Sequence, residues 1–175
     1  MTQDRSFFST YELAYLAMTV ATCTVGRLLF QFIPNIQPMT AIFLIITLHL
    51  GIFRGLLISI LSVLITNIYL GMGIWTISQI FSFTIIICLM GLFCSVSIFQ
   101  ESRALQTLFS IFAGFLYGFI IACIDVEVYG MPQFWPYYIS GLSFDLLHAI
   151  GNGGFYLLLT PIFQKLYKKT VKKKA

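Results

Sequence analysis

Apolar residues along this chain fall into six runs, near 11–33, 37–53, 55–71, 75–98, 104–124 and 137–166, divided by short stretches rich in Pro, Gly, Asn, Gln and charge. Runs that are apolar on every side predict helices buried in protein or facing lipid, not amphipathic helices on a soluble core. A straight crossing of the ~30 Å hydrocarbon layer takes about 20 residues, so the second and third runs are short and are not required to span it fully. Gly51 and Gly55 predict a tight connection between those two. No low-complexity linker or short-period repeat interrupts the runs, which reads as one transmembrane domain over residues 1–175 with a basic tail at 165–175. Asp4, Arg5 and Glu12 crowd the start of the first run and no small-residue cleavage pattern closes it, so this helix is expected to stay in the mature protein.

Composition turns the pattern into a solvent assignment. The 175 residues are 59% hydrophobic and 9% charged, too little charge to cover a soluble globule of this size, and 18 Phe add apolar area that lipid accepts. The expected fold is an all-α integral membrane protein, a compact bundle of six transmembrane helices. If the six runs alternate in direction, nine of the ten Lys and Arg fall on one side: Arg5, Arg54, Arg103, Lys165, Lys168, Lys169, Lys172, Lys173 and Lys174. Positive residues near helix ends stay in the cytoplasm, so both termini are expected there, in the cell membrane. The net charge of +4 then reports topology and attraction to anionic lipid, and no basic groove with interleaved aromatics supports nucleic-acid binding. Cys23, Cys88, Cys94 and Cys123 lie in apolar runs without metal-site spacing and read as small apolar residues, so no metal or cofactor is expected.

The loops expected on the outer side carry no Lys or Arg. They carry Pro34-Asn35-Ile36-Gln37-Pro38, Leu70-Gly71-Met72-Gly73-Ile74-Trp75-Thr76 and Met131-Pro132-Gln133-Phe134-Trp135-Pro136-Tyr137-Tyr138. Amides, rings and bent backbone suit a neutral hydrogen-bonding organic ligand, although each loop taken singly also fits an interfacial turn with its aromatic belt. Arg27 is the basic residue well inside an apolar run and demands a partner or a watered cavity. Asp145 lies at a similar depth in the last run, which predicts either an ion pair that locks the bundle or a pair that meets substrate. Gln31 sits one turn from Arg27. Asn67, Gln79 and Asn152 fall in the same outer half, where a cavity lining and plain helix–helix hydrogen bonds are both open. His148, one turn beyond Asp145, fits a local hydrogen bond better than a metal, and His49 looks interfacial.

Catalysis finds no support in these residues. Ser143, Asp145 and His148 lie within six positions of one helix, face partly different ways and lack an activating loop. Neither a Walker-type phosphate loop nor a His-Glu-x-x-His motif occurs, so the chain is not expected to be an enzyme, and any ATP hydrolysis must come from another subunit.

Ala14, Ala17 and Ala21 form a small-residue stripe at helical spacing on the first helix, suited to close helix approach in lipid, within this bundle or to a partner. With that stripe, the six runs and the chain length, two blocks complete a pattern: Arg27-Leu-Leu-Phe-Gln-Phe-Ile-Pro-Asn-Ile-Gln-Pro-Met-Thr-Ala41 and Asn67-Ile-Tyr-Leu-Gly-Met-Gly-Ile-Trp-Thr-Ile-Ser-Gln79. Over nearly its whole length the chain resembles the S components, the substrate-binding membrane subunits, of energy-coupling factor (ECF) vitamin transporters. The blocks look most like the cobalamin-specific branch. The resemblance implies capture of a vitamin at the outer face, docking through the Ala17-xxx-Ala21 surface on the transmembrane subunit EcfT, delivery by toppling, and two cytoplasmic ATPases as further partners. From the outer loops and the polar positions of the outer helix halves, substrate contacts are expected among Arg27, Gln31, Asn35, Gln37, Asn67, Trp75, Gln79 and Asp145. Cobalamin, with its many amides and apolar rim, is the first expectation; pantothenate or another vitamin, and a small membrane scaffold without transport, are the alternatives.

Overall fold

The computed structural model describes residues 8–172, with side chains to residue 166. Arg5 and most of the basic tail therefore lie outside the described side chains. Seven helices occur among the described residues: α1 (Thr10–Leu29), α2 (Met39–Leu50), α3 (Ile52–Leu70), α4 (Trp75–Phe93), α5 (Ser97–Glu101), α6 (Arg103–Val128) and α7 (Phe134–Lys172). No strand is present among them. Five helices, α1, α3, α4, α6 and α7, are long and apolar enough to cross a membrane. The third run therefore exceeds expectation, with 19 helical residues, while the second yields 12.

Local chemistry sets the helix ends. Ser9 caps α1 by accepting the Glu12 N–H, and Ser102 caps α6 by accepting that of Leu105. Gly51 alone joins α2 to α3. Its φ of +89° is one that a side chain resists, and the turn lets two apolar helices fold back on each other through a single residue. The fourth run breaks after Phe93, and the following turn carries α5, in which Phe99 is buried while Ile98 stays exposed.

The short helix α2 is the hub. Every residue from Met39 to Thr47 is buried, and α2 touches α1, α3, α4, α6 and α7. Its Phe43 meets Phe83 of α4 edge-on at 5.1 Å. The other helices surround it, and their outward faces are apolar: Ile68, Ile77, Leu108, Ile150 and Leu158 are all exposed. An apolar coat around an apolar centre matches a lipid solvent, because water penalises every such side chain.

The most extensive pairing joins α6 and α7. At Gly114 a Cβ would lie 2.5 Å from the Ala149 backbone, so glycine lets these two helices approach backbone to backbone. The helix ends sort the polar residues. Glu12 pairs with Arg54, which also donates to the Leu50 carbonyl, and Arg103 donates to Gln164 at 2.7 Å, all at the end bearing the chain termini. The opposite end, bearing the 30–38, 71–74 and 129–133 connections, holds the remaining candidate residues.

Candidate functional site

Three helices build a polar network at the loop end. Arg27, in the last turn of α1, donates from Nη1 to Thr66 Oγ1 at 2.6 Å and to Asn67 Oδ1 at 3.0 Å on α3. Asn67 Nδ2 then donates to Thr76 Oγ1 at 2.9 Å and to Gln79 Oε1 at 2.8 Å on α4. Thr66 sends its own hydroxyl proton back to the Ser62 carbonyl at 2.7 Å. Asn67 is buried and uses its oxygen and both amide protons, so it has no donor left to offer in this arrangement. Arg27, Asn67 and Gln79, drawn from separate sequence blocks, are thus brought together. The hydroxyls of Thr66 and Thr76 and the ring of Tyr117, beside Gln79, belong to the same cluster and were not singled out in sequence. Adjacency was the available signal for the threonines, each one residue from a selected position.

Arg27 does not pair with Asp145. The sole ion pair among the described residues is Glu12–Arg54, and the Arg27 guanidinium turns to α3 while the Asp145 carboxylate lies against Gly118 of α6. Matching depth left the direction around each helix undetermined, and the two residues point at different neighbours.

The loop residues divide. Asn35 is exposed, adopts φ +56° and donates from Nδ2 to the Phe144 carbonyl at 3.3 Å, fastening the first loop to α7 one residue before Asp145. Gln37 is half-buried, whereas Gln31 lies past the end of α1 and is exposed. Trp75 folds back so that its ring covers Gly73, where any Cβ would overlap it, and 46% of the residue remains exposed. That glycine is required by the ring.

A second polar group runs along α7. Asp145, His148 and Asn152, spaced three and four apart, share one helix face and are 6%, 2% and 0% exposed. His148 shares a hydrogen bond with Thr40 Oγ1 through Nε2 at 2.9 Å and meets the Tyr117 ring edge-on at 5.0 Å. The histidine's partner is thus on α2, not local. Its Nδ1 has no partner among the described residues, and neither does either end of the Asn152 amide, although the Asn152 carbonyl accepts from Ser110 at 3.2 Å. No hydrogen bond or ion pair reaches Asp145 within the described residues. Buried polar groups are normally paired, so this face is distinctive.

On the lateral surface, Ala14, Ala17 and Ala21 are exposed. Ala17 and Ala21 floor an apolar groove of about 510 Å³ between α1 and α3, with Leu13, Leu57, Leu61 and Ile65 as walls. The spacing therefore presents its small side chains outward and not into the bundle. What these arrangements define, among the described residues, is an all-helical bundle with five helices long and apolar enough to cross a membrane, a braced polar end and a lateral groove. The chain matches no protein-family model, no curated protein and no solved structure.

Proposed function

We propose that this chain is the substrate-binding S component of an ECF-type vitamin importer, a six-crossing subunit with both termini in the cytoplasm. The observation that carries the reading is the convergence of Arg27, Asn67 and Gln79, which ties the two sequence blocks of the resemblance into one polar unit beneath the glycine-bent loops. In this reading the end with the 30–38 and 71–74 loops faces outward and receives the vitamin. Arg27 and Asn67 hold the frame, while Asn35, Gln37, Trp75 and Asp145 reach the ligand. The exposed Ala17 and Ala21 floor supports docking on EcfT, because a helix of the partner approaches closely only where side chains are small. α2 counts as a crossing shielded by its neighbours. Two cytoplasmic ATPases supply the energy, and the chain itself performs no chemistry. Cobalamin is the first candidate substrate and pantothenate the alternative vitamin.

Co-purification from a native membrane tests the reading directly. The chain is expected to bring down a transmembrane partner with two ATPases, and Ala17→Leu with Ala21→Leu is expected to abolish uptake while vitamin binding to the solitary chain persists. Recovery of the chain alone, or unchanged uptake in the double variant, removes the transport reading and leaves the membrane-scaffold alternative.

A further inference from the structure

Charge at the loop end is lopsided. From residue 24 to 40, 64 to 80 and 117 to 150, the charged side chains are Arg27, Asp125, Glu127 and Asp145, and the Arg27 guanidinium is engaged by Thr66 and Asn67. Three carboxylates thus stand against one committed cation. Asp125 accepts from the Tyr137 hydroxyl at 3.1 Å with one oxygen, and its other oxygen is buried without a partner. Asp145 is 6% exposed, and no hydrogen-bond donor reaches its carboxylate among the described residues. Its carboxylate rests on the bare backbone of Gly118, where a methyl would displace it. A carboxylate held out of water is stable only when a positive group or a proton compensates it.

Independent features on the same face point to a ligand. One turn below Asp145, the Nδ1 of His148 lacks a partner, and a turn further Asn152 presents an unpaired amide. Toward the loop end of the same two helices stands an aromatic cluster, with Phe119 next in sequence to Gly118: Phe119 meets Phe134 edge-on at 5.6 Å and Tyr138 at 5.4 Å, and Phe134 stacks on Tyr138 at 5.8 Å. Tyr138 lies seven residues, about two helical turns, before Asp145 on the same face of α7. Rings attract cations through their negative faces, and an unpaired carboxylate next to them selects the same charge. Amides below the carboxylate then supply orientation.

We propose that Asp145 is the counter-ion for a positively charged group on the ligand, and that the ligand is an organic cation on an apolar framework, not a carboxylate. The inference rests on the outer-face binding role above, and it separates the candidate substrates, since pantothenate is an anion.

The test titrates the purified solitary chain, by intrinsic tryptophan fluorescence and thermal shift, with aquocobalamin and thiamin as cations and with pantothenate and biotin as carboxylates. At least one cation is expected to bind, no carboxylate is expected to bind more tightly, and cyanocobalamin, lacking the net charge, is expected to bind more weakly than aquocobalamin if that scaffold is the one recognised. Asp145→Asn, which keeps the shape and deletes the charge, is expected to weaken the cation by about tenfold or more. The titrations of the unaltered chain stand even if that variant fails to fold. Preference for a carboxylate, failure of both cations, or unchanged affinity in Asp145→Asn overturns the assignment. Cation binding by a chain that recovers no ATPase partner keeps the counter-ion and removes the transporter; ATPase recovery with carboxylate preference does the reverse.

Discussion

The loop end of this bundle contains two polar regions of opposite character. Between α1, α3 and α4, Arg27, Asn67, Thr66, Thr76 and Gln79 answer one another, and Asn67 uses its oxygen and both amide protons. Along α7, the side chains of Asp145 and Asn152 have no hydrogen-bond partner among the described residues, and His148 answers with one nitrogen of two. Both regions are buried, so the completed network braces three helices while the incomplete one leaves polar atoms unanswered. Residue type does not separate them: each holds an amide and a charged side chain. The distinction is made by whether a neighbouring helix offers a complement.

Substitution should break the comparison in opposite directions. The largest effect is expected from Asn67→Leu, which leaves Arg27 with Thr66 alone and Thr76 and Gln79 short of a partner. Each buried group left unsatisfied costs roughly 1–3 kcal/mol, so the loss is expected to exceed about 3 kcal/mol and to appear as a marked fall in thermal midpoint. Asp145→Leu should move the other way. Replacing an uncompensated buried charge with an apolar side chain is expected to leave stability unchanged or raise it by about 1 kcal/mol while cation binding disappears, read by melting and titration of one preparation. A melting-point loss comparable to that of Asn67→Leu would make the α7 face a second brace.

The double cycle of Arg27→Met and Asp145→Asn sharpens the contrast further, since residues without direct contact are expected to add within about 0.5 kcal/mol. Smallest is the effect of Ala17→Leu with Ala21→Leu on the melting of the solitary chain, expected within about 0.5 kcal/mol because both positions face outward. A larger drop would place the stripe inside a contact the bundle itself needs.

Much of the architecture was legible in the hydrophobic runs, because in lipid each run must close its own backbone hydrogen bonds and therefore becomes a helix. The bends at Gly51 and Gly71 were legible for the same reason that they work, since both adopt positive φ, whereas Gly55, expected to share the first connection, lies inside α3. The short α5 was hidden within an apolar stretch that continues past Phe93, where only the local turn chemistry ends the helix. In the site, Arg27, Asn67 and Gln79 were recognisable as polar residues misplaced in apolar surroundings. Their pairing was not, because rise per residue gives depth and says nothing of azimuth. Asp145 was assigned to Arg27 on depth alone, whereas Thr66 and Asn67 occupy the α3 face that Arg27 points to. That His148 Nδ1 and the Asn152 side-chain amide find no partner among the described residues depends on three helices at once and has no signature in one.

The 12 residues of α2 span about 18 Å at 1.5 Å per residue, well short of the hydrocarbon layer, yet they sit at the centre of the bundle. A helix of that length is too short to cross such a layer by itself. Its single-residue joint to α3 ties it to a longer arm, so the two form one hairpin. The far side of α2 is covered only by the last elements of the chain, α6 and α7. Burial of the shortest of the apolar core helices therefore depends on the close approach of those two at Gly114.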